Sequence, residues 1–167
     1  MPNHIRNRVE IIGTDDQIEE VFNFLKSSTD EEQLIDFNNI TPMPKWVYGS
    51  SPDVTGISHK DYEKYGRENT CLDWRSENWG TKWNAYDSYR SGNTLHFDTA
   101  NGSPAQLINK VAWLFPEVTI KHFFYDSMNF QTQFYYTFKD TEIEQEVKEY
   151  EFNEETDKWE DITGGEE

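Results

Sequence analysis

Cysteine is nearly absent from this 167-residue chain. Cys71 stands alone, which excludes an internal disulfide and a thiolate metal cluster. Cations are also scarce: fifteen Lys and Arg face thirty-two Asp and Glu, for a formal net charge of -17. A field of that sign repels nucleic acid and anionic membrane, and it favours basic partners or plain solubility. No stretch approaches the ~20 apolar residues that span a bilayer. Residues 1–8 are polar and basic with no apolar run behind them, so no secretory signal is expected. A reducing, cytoplasmic setting follows as the expectation.

Catalytic signatures are missing too. There is no Gly-x-Ser-x-Gly elbow, phosphate loop or dinucleotide fingerprint. The four histidines, His4, His59, His96 and His122, show no i, i+2 or i, i+4 spacing, so no metal is expected, although three of them fall on predicted strands. Carboxylates are so abundant that no acid/base pair among them is informative. The expectation is a protein that binds, without cofactor and without turnover.

What the chain does have is rings. Apolar residues make up only 35%, but aromatics reach 16%, with eleven Phe, nine Tyr and six Trp. A chain of this length buries roughly 70% of its unfolded surface, and large rings supply much of that area. Ile5, Val9 and Ile11 alternate with Arg6, Arg8 and Glu10, which predicts a strand over 5–12. Thr14-Asp15-Asp16-Gln17 is a capping box, and Ile18, Val21, Phe22 and Leu25 form one stripe, so a helix is expected over 15–28. A short extended piece at 35–38 ends at Pro42-Met43-Pro44. Residues 45–70 lack a strong period and read as a surface excursion with a short helix near 58–66. Alternation predicts a strand over 76–86, with Trp79, Thr81 and Trp83 on one face and Asn78, Lys82 and Asn84 on the other. Another strand is expected over 93–100, with Leu95 and Phe97 inward.

Ser103-Pro104-Ala105-Gln106 repeats the helix-start pattern, with a stripe of Leu107, Ile108, Val111, Leu114 and Phe115 before Pro116. Strands at 118–126 and 131–139 and a final hairpin over 147–162 complete the order. Without the excursion this order is βαββαβ, the ferredoxin-like α+β sandwich with two helices on one face of an antiparallel sheet. The expected organisation is a domain over 1–138, with an insertion at 45–70, and an acidic hairpin and tail over 139–167.

Four stretches, taken in order, resemble the YubB-type ferredoxin-like domain family of bacteriophages and conjugative plasmids. They are Met1-Pro2-Asn3-His4, Ile35-Asp36-Phe37-Asn38 with Pro42-Met43-Pro44, Trp79-Gly80-Thr81-Lys82-Trp83-Asn84, and Phe97-Asp98-Thr99-Ala100 with Ser103-Pro104. The resemblance covers residues 1–138. It implies a ferredoxin-like fold and a mobile-element origin, and it brings neither an iron–sulfur cluster nor a catalytic residue. This chain departs from the family's Ala-Trp-Ser-Pro before the second helix, where it reads Ala100-Asn101-Gly102-Ser103-Pro104.

Two candidate sites stand out. Trp74, Asn78, Trp79, Lys82, Trp83 and Asn84 combine rings, amides and a cation, the makings of a pocket for a planar, nucleotide-like ligand; the same rings also suit a core. Arg6, Arg8, Lys82 and Lys121 lend local positive charge to the open sheet face, but the overall field opposes direct nucleic-acid binding. The second site is the acidic end. Residues 139–167 hold thirteen Asp or Glu and three Lys, a net -10 of the total -17. Glu142, Glu144 and Glu146 form one row at ~6.6 Å spacing and Glu149 and Glu151 another, with Glu154 and Glu155 beyond. Such a surface is expected to meet a basic site on a host protein, such as a nucleic-acid enzyme or defence factor, by imitating a nucleic acid.

Overall fold

The computed structural model describes residues 1–51 and 54–164. Residues 52 and 53 of the excursion and 165–167 of the acidic tail lie outside the described residues. The alternation at the start of the chain becomes β1 (His4–Ile12), with Ile5, Asn7, Val9 and Ile11 buried and Arg6 and Arg8 on the other face. β1 lies between β3 (Thr94–Ala100) and β4 (Thr119–Asp126), and the antiparallel sheet is completed by β2 (Tyr86–Ser91), β5 (Asn129–Lys139), β6 (Glu142–Asn153) and β7 (Lys158–Asp161). Its order is β2-β3-β1-β4-β5-β6-β7. Among the described residues five α-helices accompany it, giving an α+β architecture.

α1 (Asp15–Leu25) starts on the expected box: Gln17 N donates to Thr14 Oγ1 at 3.3 Å, and Thr14 N to Gln17 Oε1 at 2.9 Å. It stops three residues short of the expected end because Ser27 Oγ accepts from the backbone of Thr29 and Asp30, a local turn that competes with the helix. Residues 35–38 are not simply extended. Asp36 Oδ1 accepts from Asn38 N at 2.9 Å and caps a one-turn α2 (Phe37–Ile40), which buries Phe37 and Ile40. The excursion carries α3 (His59–Tyr65) where a helix was expected. Its two ends are stitched to each other, because Tyr48 N donates to Asn69 O and Cys71 N to Tyr48 O.

The strand expected over 76–86 does not form. Residues there leave α4 (Cys71–Asn78), turn at Trp79 and Gly80, and enter β2 only at Tyr86. Cys71, Trp74 and Arg75 share the buried helical face, and Trp79 sits edge-on to Trp74 at 5.5 Å and to Phe37 at 5.6 Å. Gly80 (φ 78°) closes the helix, its N–H and that of Trp79 both donating to Arg75 O. α5 (Ala105–Leu114) begins where expected but without a serine cap. The Ser103 hydroxyl instead donates to Asn7 Oδ1 at 3.0 Å, and Gln106 Nε2 to Glu77 O. Leu114, expected inward, is 51% exposed.

Val21, Phe22 and Leu25 of α1 and Leu107, Ile108 and Val111 of α5 join Val9, Ile11, Leu95, Phe97 and Ile120 in one core, so both helices cover the same sheet face. The β3–α5 loop and the α4–β2 turn touch backbone to backbone. A Cβ on Gly102 would lie 2.1 Å from Gly80 O. Beneath them is a buried polar cluster. Asn7 Nδ2 donates to Ile5 O and Thr99 Oγ1, so its Oδ1 must accept, and His122 Nε2 donates to it at 3.0 Å. That leaves His122 Nδ1 without a partner among the described residues. Burial pushes this imidazole down from 6.5 to about 3.

Gly102→Ala is expected to cost about 2 kcal/mol in denaturant unfolding, because backbone must move to admit the methyl. For His122 the unfolded chain binds a proton below pH 6.5 and the folded chain does not. Stability therefore rises with pH through this window and is lost as pH falls. His122→Gln keeps the donor to Asn7 and removes the titration. Wild type should lose roughly 1.4 kcal/mol per pH unit more than this variant below pH 6.5, read from parallel unfolding curves.

Candidate functional site

The tryptophan cluster divides between core and surface. Trp74 and Trp79 are 8% and 1% exposed, and Trp79 Nε1 donates to Thr41 O at 2.9 Å. Trp83 is half-buried, with Nε1 donating to Thr55 O at 3.0 Å. Trp79, Trp83 and Asn84 come together on one cleft of about 340 Å3, with Met43, Val54, Arg75 and Tyr86. Trp74, Asn78 and Lys82 do not reach it: Asn78 Nδ2 donates to Trp74 O within α4, and Lys82 Nζ lies 5.1 Å from the Trp83 ring centroid. Asn84 is committed to the fold. Its Oδ1 accepts from Phe37 N and Ala85 N, and its Nδ2 donates to Asp36 Oδ1, so it holds the start of α2 against β2.

Arg75 was missed in the sequence. It is 3% exposed; its Nη1 donates to Val54 O at 2.9 Å, its Nε has no partner, and it forms no ion pair among the described residues. Burial pulls this guanidinium below its ordinary pKa. Its spacing four residues from both Cys71 and Trp79 was the available signal, visible once the segment is treated as a helix.

A second depression, of about 450 Å3, lies on the open sheet face among Arg6, Arg8, Tyr89, His96, Asp98 and Phe123. Its groups contact one another, but only Arg6 and Asp98 are ion-paired among the described residues. Arg6 is ion-paired with Asp98, the Arg8 guanidinium sits 4.7 Å from the Phe123 ring, and Tyr89 stacks on His96 at 4.5 Å. Burial raises the Asp98 carboxyl and lowers the His96 imidazole, each from its ordinary value. Lys121 is exposed on the same face, whereas Lys82 lies off the sheet. Among the described residues no group of three or more His, Cys, Asp or Glu is arranged to hold a metal, and no helix is long and apolar enough to cross a membrane.

The acidic end is a built part of the sheet. β6 starts at Glu142, five residues earlier than expected, and pairs along β5 from Lys139 opposite Glu142 to Thr132 opposite Glu149. Asp140 and Thr141, at φ 50° and 65°, make the two-residue turn. Because side chains alternate, Glu142, Glu144 and Glu146 lie on the open face with Tyr150 and Phe152, while Glu149 and Glu151 lie on the reverse. The two carboxylate rows therefore do not add into one surface. The sequence reading also missed the rings further along β6, ~20 Å beyond Glu146 with Lys148 and Tyr150 between. Trp159 sits opposite Phe152, with ring centroids 5.4 Å apart, and Phe130 meets Trp159 at 4.8 Å. Exposure is 43% for Phe130, 40% for Phe152 and 43% for Trp159. Glu154 and Glu155 stand in the exposed β6–β7 turn. None of the seven glutamates between 142 and 155 is in an ion pair among the described residues.

No family model and no curated protein matches this chain. Among solved structures it is similar to the crystal structure of a protein api92 from Yersinia pseudotuberculosis, described under DUF1281. The TM-score is 0.46 and the identity 12%, over 92% of this chain and 99% of that one.

Asn84→Ala should cost about 2 kcal/mol in unfolding free energy by stranding the Phe37 N–H, while Lys82→Ala should stay within about 0.5 kcal/mol. Parallel denaturant titrations separate these roles.

Proposed function

We propose that this chain is a non-catalytic binding domain that docks a basic protein surface on the open face of the β5–β7 wing. The observation that carries this reading is the exposed pair Phe152 and Trp159, met by the Phe130 ring, at one end of a face whose other end carries Glu142, Glu144 and Glu146, none of them ion-paired among the described residues, together with Lys139 and Lys148. Clustered exposed rings are unusual on a protein without a partner, and buried aromatic anchors dominate binding energy. The carboxylates outnumber Lys139 and Lys148 on this face of the wing, so they steer a cationic surface and repel phosphate. At ~6.6 Å spacing the row is sparser than duplex charge, so the match is to a basic patch beside an apolar one rather than to a whole nucleic-acid groove.

The strand order β2-β3-β1-β4, with α1 after β1 and α5 between β3 and β4, supports reading residues 1–126 as a ferredoxin-like sandwich extended by three further strands. The resemblance to the YubB-type family supports an accessory role on a mobile element, with a host nucleic-acid enzyme or defence factor as the basic partner. A second reading, a small-ligand site, is favoured by the tryptophan-walled cleft around Arg75.

The test is affinity capture from host lysate at low and high salt, with three proteins: wild type, Phe152→Ser with Trp159→Ser, and Glu149→Gln with Glu151→Gln. The expected partner is lost with the ring variant and at high salt, weakened roughly tenfold or more, and kept with the reverse-face variant. Capture that ignores the ring variant, or that fails equally with the reverse-face variant, would contradict the reading.

A further inference from the structure

A buried cation without a counter-ion is costly. Removing a guanidinium from water costs several kcal/mol unless charge and hydrogen bonds compensate. Arg75 has one backbone carbonyl, an unpartnered Nε and no carboxylate among the described residues, and it lines a cleft of a size that suits a small ligand. Most of the cleft's other polar side chains are spent. Asn84 holds Phe37 and Asp36, Asn38 Oδ1 accepts from Met43 N, and the Trp79 and Trp83 indoles donate to Thr41 O and Thr55 O. What remains for a ligand is a set of apolar and aromatic walls, Met43, Val54, Trp79, Trp83 and Ala85, with the Ser50 and Thr55 hydroxyls and a single positive charge.

We infer that this cleft binds a small molecule with a flat apolar body and one carboxylate, the carboxylate pairing with Arg75 and the body lying against Trp79 and Trp83. The inference rests on the second reading above, that the cleft takes a small ligand, and is independent of the β5–β7 wing. A guanidinium edge presents parallel N–H donors that match a carboxylate. One arginine and a net charge of -17 favour a single negative charge over a phosphate.

The experiment titrates the full chain with 2-naphthoate, its neutral amide and 2-naphthyl phosphate, by calorimetry and ligand-observed NMR. The acid should bind roughly tenfold or more tightly than the amide, as a charge-assisted pair requires. The phosphate should bind more weakly than the acid. Arg75→Met fills the same volume with an apolar chain, so its Tm should be unchanged or raised, and it should lose the preference for the acid while still binding the amide. Equal binding of acid and amide overturns the carboxylate assignment and leaves the small-ligand reading standing. No binding of any probe overturns both. Tighter binding of the phosphate overturns the single-charge assignment. Asp53, beside Val54, lies outside the described residues and is given its own arm. Acid binding should be retained in Asp53→Asn, and binding that emerges only in that variant overturns the inference, because the chain's own carboxylate would then occupy the place.

Discussion

The ladder between β5 and β6 is the constraint on which the rest depends. Eight residue pairs, from Thr132 opposite Glu149 to Lys139 opposite Glu142, fix the register of a strand whose composition alone describes a solvated tail. Phe134 opposite Val147 and Phe138 opposite Ile143 supply apolar contact on the helix-side face, and the Asp140–Thr141 turn imposes the twist. Once the register is set, strand alternation decides which carboxylates share a surface with which rings. A slip by one residue would move Phe152 to the reverse and Glu151 to the front, and the docking face would not exist.

Charge and packing pull against each other on this wing. Glu151 lies directly opposite Glu160, a like-charge pair that destabilises the β6–β7 hairpin, and no lysine pairs with either among the described residues. The hairpin holds through ring contacts, Phe152 and Phe130 on Trp159, and through Asn153 and Thr156 bonding to Glu160. The open-face depression around Arg8 and His96 behaves differently, since its rings and cations face one another and Arg6 is paired with Asp98.

Much of this was legible in the residues, and the failures have specific causes. The box at Thr14 and the alternation of Ile5, Val9 and Ile11 are local signals, and both elements formed where they pointed. α4 was hidden because its buried face includes an arginine, and because Trp79, Thr81 and Trp83 imitate strand alternation on what is a turn closed by Gly80. Ser103 looked like a cap, but the buried Asn7 took its hydroxyl, a partner 96 residues away that no local pattern reveals. The acidic residues were noticed as a row, yet the rings on the same face were not, because Trp159 and Phe130 meet only once the hairpin folds back. Arg75 escaped for a simpler reason: a charged residue between tryptophans reads as surface.

Site-specific photo-crosslinking tests the central claim most directly. A photoreactive group placed at position 159 and, separately, at 160 probes two adjacent residues on opposite faces of β7. Crosslinks to the basic partner are expected from position 159 and few from 160. Equal yields, or a higher yield from 160, would contradict that claim.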